Sequence, residues 1–276
     1  MIATTRETLA AQPPKSTTAH GWAAGLSNLL GQEFASVFRP RAFASQSLLW
    51  AGLSVGLAVA VTLSVPQAGQ HRWAMAEQIF VVMLAMASGV GAAISGQGAV
   101  LDERVSGTAA WILSKPVSRA AFIWAKLIGR AVGFLVTATL LPTLGLAVAL
   151  AVAGAPVPHL GALLATAGLL ALNWSFYLAF ATFLGSIFLR RGPVIGLPLG
   201  LLFSQSLIAQ FAPSVAPYLP GALVSFSPFM APNGQPLAVL ALAGQPLGTA
   251  LPILSTAVLV IACIALTLWR FERQEL

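Results

Sequence analysis

Few residues in this chain are of the types that carry out chemistry, and their spacing forms no catalytic or metal centre. The 276 residues include 7 Asp plus Glu, 3 His and 1 Cys. Neither the His-Glu-x-x-His pattern of a zinc protease nor a buried serine with a histidine partner can be assembled from them. The single cysteine, Cys263, lies in an apolar run and is expected to be a small buried hydrophobic residue. We therefore expect no catalytic residue, no metal site and no cofactor bound by this chain.

The segment 101–120 combines charged, turn-forming and bulky apolar residues. Asp102 or Ser106 is placed to cap a short helix running to about Leu113, and Pro116 would end that helix. Ser118 would then cap the next one. A short transverse helix held between two longer helices is suited to receive force from a soluble partner protein. The alternative is a basic loop lying against lipid head groups.

A basic stripe follows this segment. Arg119, Phe122, Ile123, Lys126 and Arg130 recur on one face of the predicted third long helix. Because the next charge-free stretch begins only at residue 131, this helix is expected to start about three turns before it enters the membrane.

The elements that position these residues are long stretches without charge. The chain is 58% hydrophobic and only 8% charged, whereas a soluble domain carries about 25% charged residues. Charge-free windows cover residues 42–70, 78–101, 131–189 and 192–269. Since a helix needs about 20 apolar residues to cross a bilayer, the last two windows each hold two crossings. The sequence predicts an all-helical membrane domain, residues 42–270, with six spans at about 43–65, 78–100, 131–153, 160–188, 194–211 and 247–269.

The connection between the fifth and sixth spans, residues 212–246, is rich in proline. Its apolar pieces are too short to cross a bilayer. We expect an outer loop that contains short interfacial or re-entrant helices.

The distribution of positive charge predicts the orientation of the chain. With the N-terminus inside, all but Arg72 of the 14 Lys and Arg residues lie in inner segments, as the positive-inside tendency requires. The prediction is an N-in, C-in, multi-pass protein of the bacterial inner membrane, with 271–276 as an inner tail. The net charge of +7 also suggests nucleic acid, but the cations form short clusters between apolar stretches, so no nucleic-acid partner is expected.

The N-terminal region divides into two parts. Residues 1–20 are polar, are predicted to be a mobile tail, and contain no pattern of a removed signal peptide. Apolar residues in 21–41 recur at three- and four-residue steps, which predicts an amphipathic helix lying on the inner membrane lipids. An ordinary helix packed on protein is the alternative.

The spans hold few polar groups. Asn173, Ser204 and Gln205 are candidates to line a pathway, although such residues more often hydrogen-bond a neighbouring helix. The histidines and carboxylates are all placed in tails, loops or span ends by this topology, so no ionisable group is expected at mid-membrane depth.

Small residues recur at four-residue steps in two spans. Gly52, Gly56 and Ala60 form one such stripe, and Ser88 to Gly96 contain a second. Stripes of this kind allow close approach of helices, either within one subunit or between two copies.

The charged segment resembles a known family, the permease subunits of ABC type 2 exporters. The resemblance rests on Glu103, on Gly107 with Thr108, on the heptapeptide Leu-Ser-Lys-Pro-Val-Ser-Arg at 113–119, and on Lys126. Six spans and an amphipathic helix before the first span also fit this family. The cargo of such exporters ranges from drugs and lipids to sugar polymers and ions.

The resemblance implies a coupling helix from Glu103 to Leu113 that docks into a groove of a separate ATP-binding cassette ATPase. It implies that ATP and Mg are bound by that partner, since this chain has no phosphate-binding Gly-x-x-x-x-Gly-Lys loop. Two permease chains, as a homodimer or a paired permease, would form the transporter. A membrane-embedded scaffold without transport activity is the alternative function. The residues implied in coupling are Glu103, Arg104, Gly107, Thr108, Trp111, Leu113, Lys115, Pro116 and Arg119.

Overall fold

The structure, a computed structural model, describes residues 21–64, 70–225 and 235–273. These residues form helices and connecting turns, with no strand among them. Six of the helices are long and apolar enough to cross a membrane, which confirms the predicted all-helical fold with six spans. We label them in chain order with the shorter helices: α1 Leu26–Val37, α2 Pro40–Ser64, α3 Gln70–Val105, α4 Thr108–Leu113, α5 Arg119–Val152, α6 Leu160–Ile187, α7 Arg191–Phe211, α8 Leu237–Leu242 and α9 Leu251–Glu272.

Several helices extend beyond the predicted spans. Helix α3 begins at Gln70 rather than at 78 and so includes Arg72 and Glu77, because a helix continues through polar residues at its ends where a charge-free window stops. Helix α5 begins at Arg119, as predicted. The Ser118 side chain accepts a hydrogen bond from the Ala121 amide at its N-terminus, which confirms the predicted cap.

Helix α6 forms the centre of the bundle and packs against α3 and α9. Trp174 and Tyr177 on α6 are buried. Gly96 of α3 allows the close approach, since a Cβ atom there would lie 2.5 Å from the carbonyl oxygen of Leu178. The stripe of small residues on α3 thus packs inside the subunit at this point.

The stripe on α2 is arranged differently. Gly52, Gly56 and Ala60 are exposed, and a Cβ atom added to either glycine would meet nothing within 4 Å. The residues from Gly52 to Gly56 form a π-helical turn within α2. This face of the first span is therefore unpartnered within the described part of the subunit.

The connection between α7 and α9 folds back onto the bundle. It contains two 3₁₀ turns, Ala216–Tyr218 and Pro220–Leu223, and the short helix α8. Every residue of α8 is buried, and the Thr166 hydroxyl of α6 donates a hydrogen bond to the Ala238 carbonyl. Short helices were predicted here, and these are packed into the protein; residues 226–234 lie outside the described residues.

Helix α1 packs along α5 through two glycines. A Cβ atom at Gly129 would lie 2.5 Å from the Cβ atom of Glu33, and one at Gly133 would lie 2.7 Å from a methyl group of Val37. None of the residues of α1 is fully buried. One side of this helix therefore faces protein, and contact of its other side with lipid stays a prediction. The predicted tail, residues 1–20, lies outside the described residues.

Candidate functional site

The short helix α4 begins later than the sequence suggested. Helix α3 continues through Glu103 and Arg104 to Val105, and the interpretation of Glu103 as the start of the short helix is wrong. The cause is Gly107, whose φ of 74° is left-handed and ends α3 as glycine commonly does. A Cβ atom at Gly107 would meet nothing within 4 Å.

Helix α4 has a packed side and an exposed side. Ile112 and Leu113 pack against the buried apolar cluster that contains Phe122 and Phe271. Trp111 is 60% exposed, and the Lys115 ammonium lies 3.6 Å from the centre of its ring. Pro116 is also exposed. The helix thus presents an aromatic residue with an adjacent cation while its apolar side holds it to the bundle.

A cluster around Lys126 ties three helices together. The Lys126 ammonium lies 2.7 Å from Glu33 Oε1 on α1 and 2.8 Å from Glu103 Oε1 on α3. The three side chains are between 14% and 20% exposed, so water screens these ion pairs less than pairs at an open surface. The lysine therefore joins α1 to α3 and α5, the two helices that flank α4.

Two arginines near α4 cap the C-terminal ends of other helices. Arg104 donates hydrogen bonds to the carbonyls of Gly185 (2.9 Å) and Ser186 (3.0 Å) at the end of α6. Arg119 donates to the carbonyls of Phe271 (3.2 Å) and Glu272 (2.8 Å) at the end of α9. Carbonyls in the last helical turn lack intrahelical donors and attract cations. Both arginines thus link the α4 region to the helix ends of α6 and α9.

The implied coupling residues consequently separate into two groups. Glu103, Arg104 and Arg119 make their polar contacts inside the chain. Thr108, Trp111, Lys115 and Pro116 are exposed, as is Gly107. Sequence patterns gave no sign of the partners of Arg104 and Arg119, which are main-chain carbonyls of helices distant in the chain.

A polar cleft of about 490 Å³ opens beside α4. Asp102 lies on one wall and forms an exposed ion pair with Arg191 at 3.1 Å. Ser106 and Thr108 also line this cleft. Arg191 was not predicted to lie at this site, although the pair Arg190–Arg191 at the start of the fifth span marks a charged segment at the same end of the bundle.

Two of the spaces among the spans adjoin residues considered for a pathway. An apolar groove of about 660 Å³ is lined by α2, α3, Phe134 of α5 and Phe203 of α7. A smaller polar cavity of about 200 Å³ is lined by α3, α6, α7 and the connection after α7. Asn173 and Gln205 both line this cavity, whereas Ser204 does not. The structure therefore brings together two of the three polar residues singled out as possible pathway lining.

Comparison with known proteins identifies the family. The family model described as ABC-2 family transporter protein matches residues 6–276. Among curated proteins, none matches the chain significantly. The family match covers all six apolar helices and the α4 segment that carries the sequence resemblance. The chain therefore belongs to the ABC-2 transporter family and is a multi-pass membrane permease component of an ATP-binding cassette transporter.

Proposed function

We propose that this chain is the permease subunit of an exporter and is driven by a separate ATP-binding cassette ATPase that docks on α4. The observation that carries this proposal is the exposed pair of Trp111 and Lys115 on a helix whose other side is packed. Aromatic residues are enriched at the centres of protein interfaces. Helix α4 thus presents an exposed aromatic residue to a partner while its other side is packed on the bundle.

The contacts around α4 support transmission of force to the spans. A displacement of α4 acts on α3 and α5, the two helices that flank it. The Lys126 cluster links this pair to α1. Arg104 and Arg119 extend the connection to α6 and α9. Docking and release of the ATPase would therefore move several spans together and change which side of the membrane the groove faces.

The proposal places ATP and Mg in the partner and none in this chain. A working exporter would contain two ATPase subunits and two permease chains. The exposed stripe of Gly52, Gly56 and Ala60 on α2 supports contact with a second permease, because small residues allow helices to approach closely in lipid. We place the complex in a bacterial inner membrane, with both termini and α4 inside and with lipid head groups along the open side of α1.

Purification of the tagged chain from its native membrane in mild detergent tests this function. We expect a stoichiometric ATPase to co-purify with the wild type and to be lost with Trp111→Ala. Trp269→Ala is a matched control, since Trp269 is 52% exposed and carries the Arg273 guanidinium 4.4 Å from its ring centre. Retention of the ATPase by Trp111→Ala, or its equal loss from both variants, would contradict docking on α4. No ATPase with the wild type in several mild detergents would favour a scaffold.

A further inference from the structure

The polar cavity is lined by the middle part of α6. Asn173 is halfway along the 28 residues of α6 and is 0% exposed. Its side-chain amide nitrogen donates a hydrogen bond of 3.5 Å to the Ala85 carbonyl of α3. Its oxygen, Oδ1, is buried and has no hydrogen-bond partner. A buried acceptor without a donor is costly, so a donor from a molecule inside the cavity would stabilise this atom.

A second group that can form a further hydrogen bond, the Tyr177 hydroxyl, lies one helical turn from Asn173. The Tyr177 hydroxyl accepts a hydrogen bond from the Gln205 amide, and Gln205 in turn accepts one from the Gly221 amide. Because a phenol both accepts and donates, the Tyr177 proton stays available when the oxygen accepts. Residues four apart lie on the same face of a helix. The cavity therefore offers a hydrogen-bond acceptor, Asn173 Oδ1, and a hydrogen-bond donor, the Tyr177 hydroxyl. This pair suits a ligand group that both donates and accepts a hydrogen bond.

The polar cavity adjoins the apolar groove. Met86 and Phe203 line both spaces. Apart from Gln46 and Ser95, the described residues that line the groove are apolar or glycine. No charged side chain lines either space among the residues that the structure describes. A charged group in these spaces would have no ionic partner, and an unpaired charge in a membrane interior is strongly disfavoured.

We propose that the polar cavity binds the uncharged hydroxyl end of an amphipathic cargo whose apolar body lies in the adjoining groove. The hydroxyl donates to Asn173 Oδ1 and accepts from the Tyr177 hydroxyl. This inference rests on the proposed exporter function and specifies its substrate class. It excludes cargo with a carboxylate, phosphate or ammonium group at the end that enters the cavity.

Binding of brominated probes to the full chain in lipid nanodiscs tests this assignment. The probes are 11-bromoundecan-1-ol, 1-bromoundecane and 11-bromoundecanoate, which share an apolar body and differ at one end. Bromine quenches tryptophan fluorescence, and Trp50 lines the groove as a reporter. We expect saturable quenching by the alcohol, with affinity about tenfold higher than that of the other two probes, as one or two buried hydrogen bonds would give. Trp50→Phe should remove this quenching.

Variants locate the binding group. Asn173→Leu and Tyr177→Phe should each reduce the affinity for the alcohol about tenfold and leave that for 1-bromoundecane unchanged. Thr256→Val is the matched control, because the Thr256 hydroxyl is also buried without a partner but does not line the cavity. Equal affinity of the wild type for the alcohol and the hydrocarbon would overturn the proposal and indicate a cavity that holds only water. That comparison needs no variant, so it stays decisive if Asn173→Leu fails to fold.

The same samples separate this inference from the exporter function. Co-purification of the ATPase depends on α4, which is distant from the cavity in the chain. An ATPase that co-purifies with a permease showing no preference for the alcohol would overturn the hydroxyl site alone. A preference for the alcohol in a chain that binds no ATPase would support the site and contradict the exporter function.

Discussion

The ammonium of Lys126 lies 2.8 Å from Oε1 of Glu103. This ion pair joins the end of α3 to the first turns of α5, on either side of the loop that carries α4. Glu33 of α1 occupies a second position on the same ammonium, at 2.7 Å. The base of α4 is therefore fixed by charge as well as by apolar packing.

Removing the ammonium should destabilise the protein more than removing an exposed cation. In Lys126→Met, two carboxylates that are 16% and 20% exposed lose their ion pair with the ammonium and keep only the attraction of Arg130, and we expect a loss of about 2 kcal/mol in the free energy of unfolding. Arg191→Met, which breaks a pair whose side chains are 73% and 49% exposed, should cost less than about 1 kcal/mol. Thermal unfolding in detergent measures both, and equal losses would contradict the role of the cluster.

Removing one carboxylate of the cluster should be milder. In Glu103→Gln, Lys126 keeps its pair with Glu33, so the loss of stability should be smaller than in Lys126→Met. A double variant, Glu103→Gln with Glu33→Gln, should lose more than the sum of the two single losses, because only then is the ammonium left unpaired. Strictly additive losses in the same unfolding assay would show that the two pairs act independently.

The conformation of Gly107 provides a test of the geometry at α4. Gly107→Val places a β-branched side chain at a φ of 74° and should cost about 1–2 kcal/mol or force the loop to rearrange. Gly107→Asn is the matched control, since asparagine adopts the left-handed conformation more readily. We expect ATPase coupling to fall in the valine variant and to be largely kept in the asparagine variant. Equal activities would indicate that the left-handed turn is not needed.

Two glycines in adjacent spans should respond differently to the same change. Gly96→Ala places a Cβ atom 2.5 Å from a backbone oxygen of α6 and should cost about 1–3 kcal/mol. Gly56→Ala meets nothing within 4 Å and should change stability by less than about 0.5 kcal/mol. Unfolding midpoints of the two variants check this difference, and a destabilising Gly56→Ala would reveal a contact that the isolated subunit lacks.

The proposed pairing of two permeases predicts a separate effect at the exposed stripe. Gly56→Leu should leave the unfolding midpoint of the single subunit unchanged but weaken association of two copies, because a large side chain prevents close approach of the helices. Cross-linking in membranes at matched expression levels measures the pairing. Unchanged cross-linking would exclude this stripe as the contact.

Local patterns were sufficient to predict much of the architecture. Charge-free windows located all six long helices, because the cost of charge in lipid leaves a clear mark on the sequence. The capping role of Ser118 was also predictable, since it depends on residues next to it in the chain. The predicted start of the short helix at Glu103 was wrong, because the left-handed turn at Gly107 divides the charged segment between two helices.

The roles of individual charged residues were not predictable in this way. Arg104 and Arg119 bind carbonyls of helix ends that lie far away in sequence. Because every residue has a main-chain carbonyl, residue types do not indicate which carbonyl is bound. The open acceptor on Asn173 has the same origin, because its environment is built by α3, α7 and the connection after α7. Tertiary packing alone decides which polar side chains are satisfied.

Site-specific photocross-linking in native membranes tests docking of an ATPase on α4 most directly. The photoreactive residue p-benzoylphenylalanine replaces Trp111 in one sample and Tyr218 in the other. Both native side chains are exposed aromatics, at 60% and 51% exposure, and Tyr218 lies in the connection predicted to face outside. We predict a light-dependent adduct with an ATP-binding protein at position 111 and none at 218. No adduct at 111, or equal adducts at both positions, would contradict the coupling role of this helix.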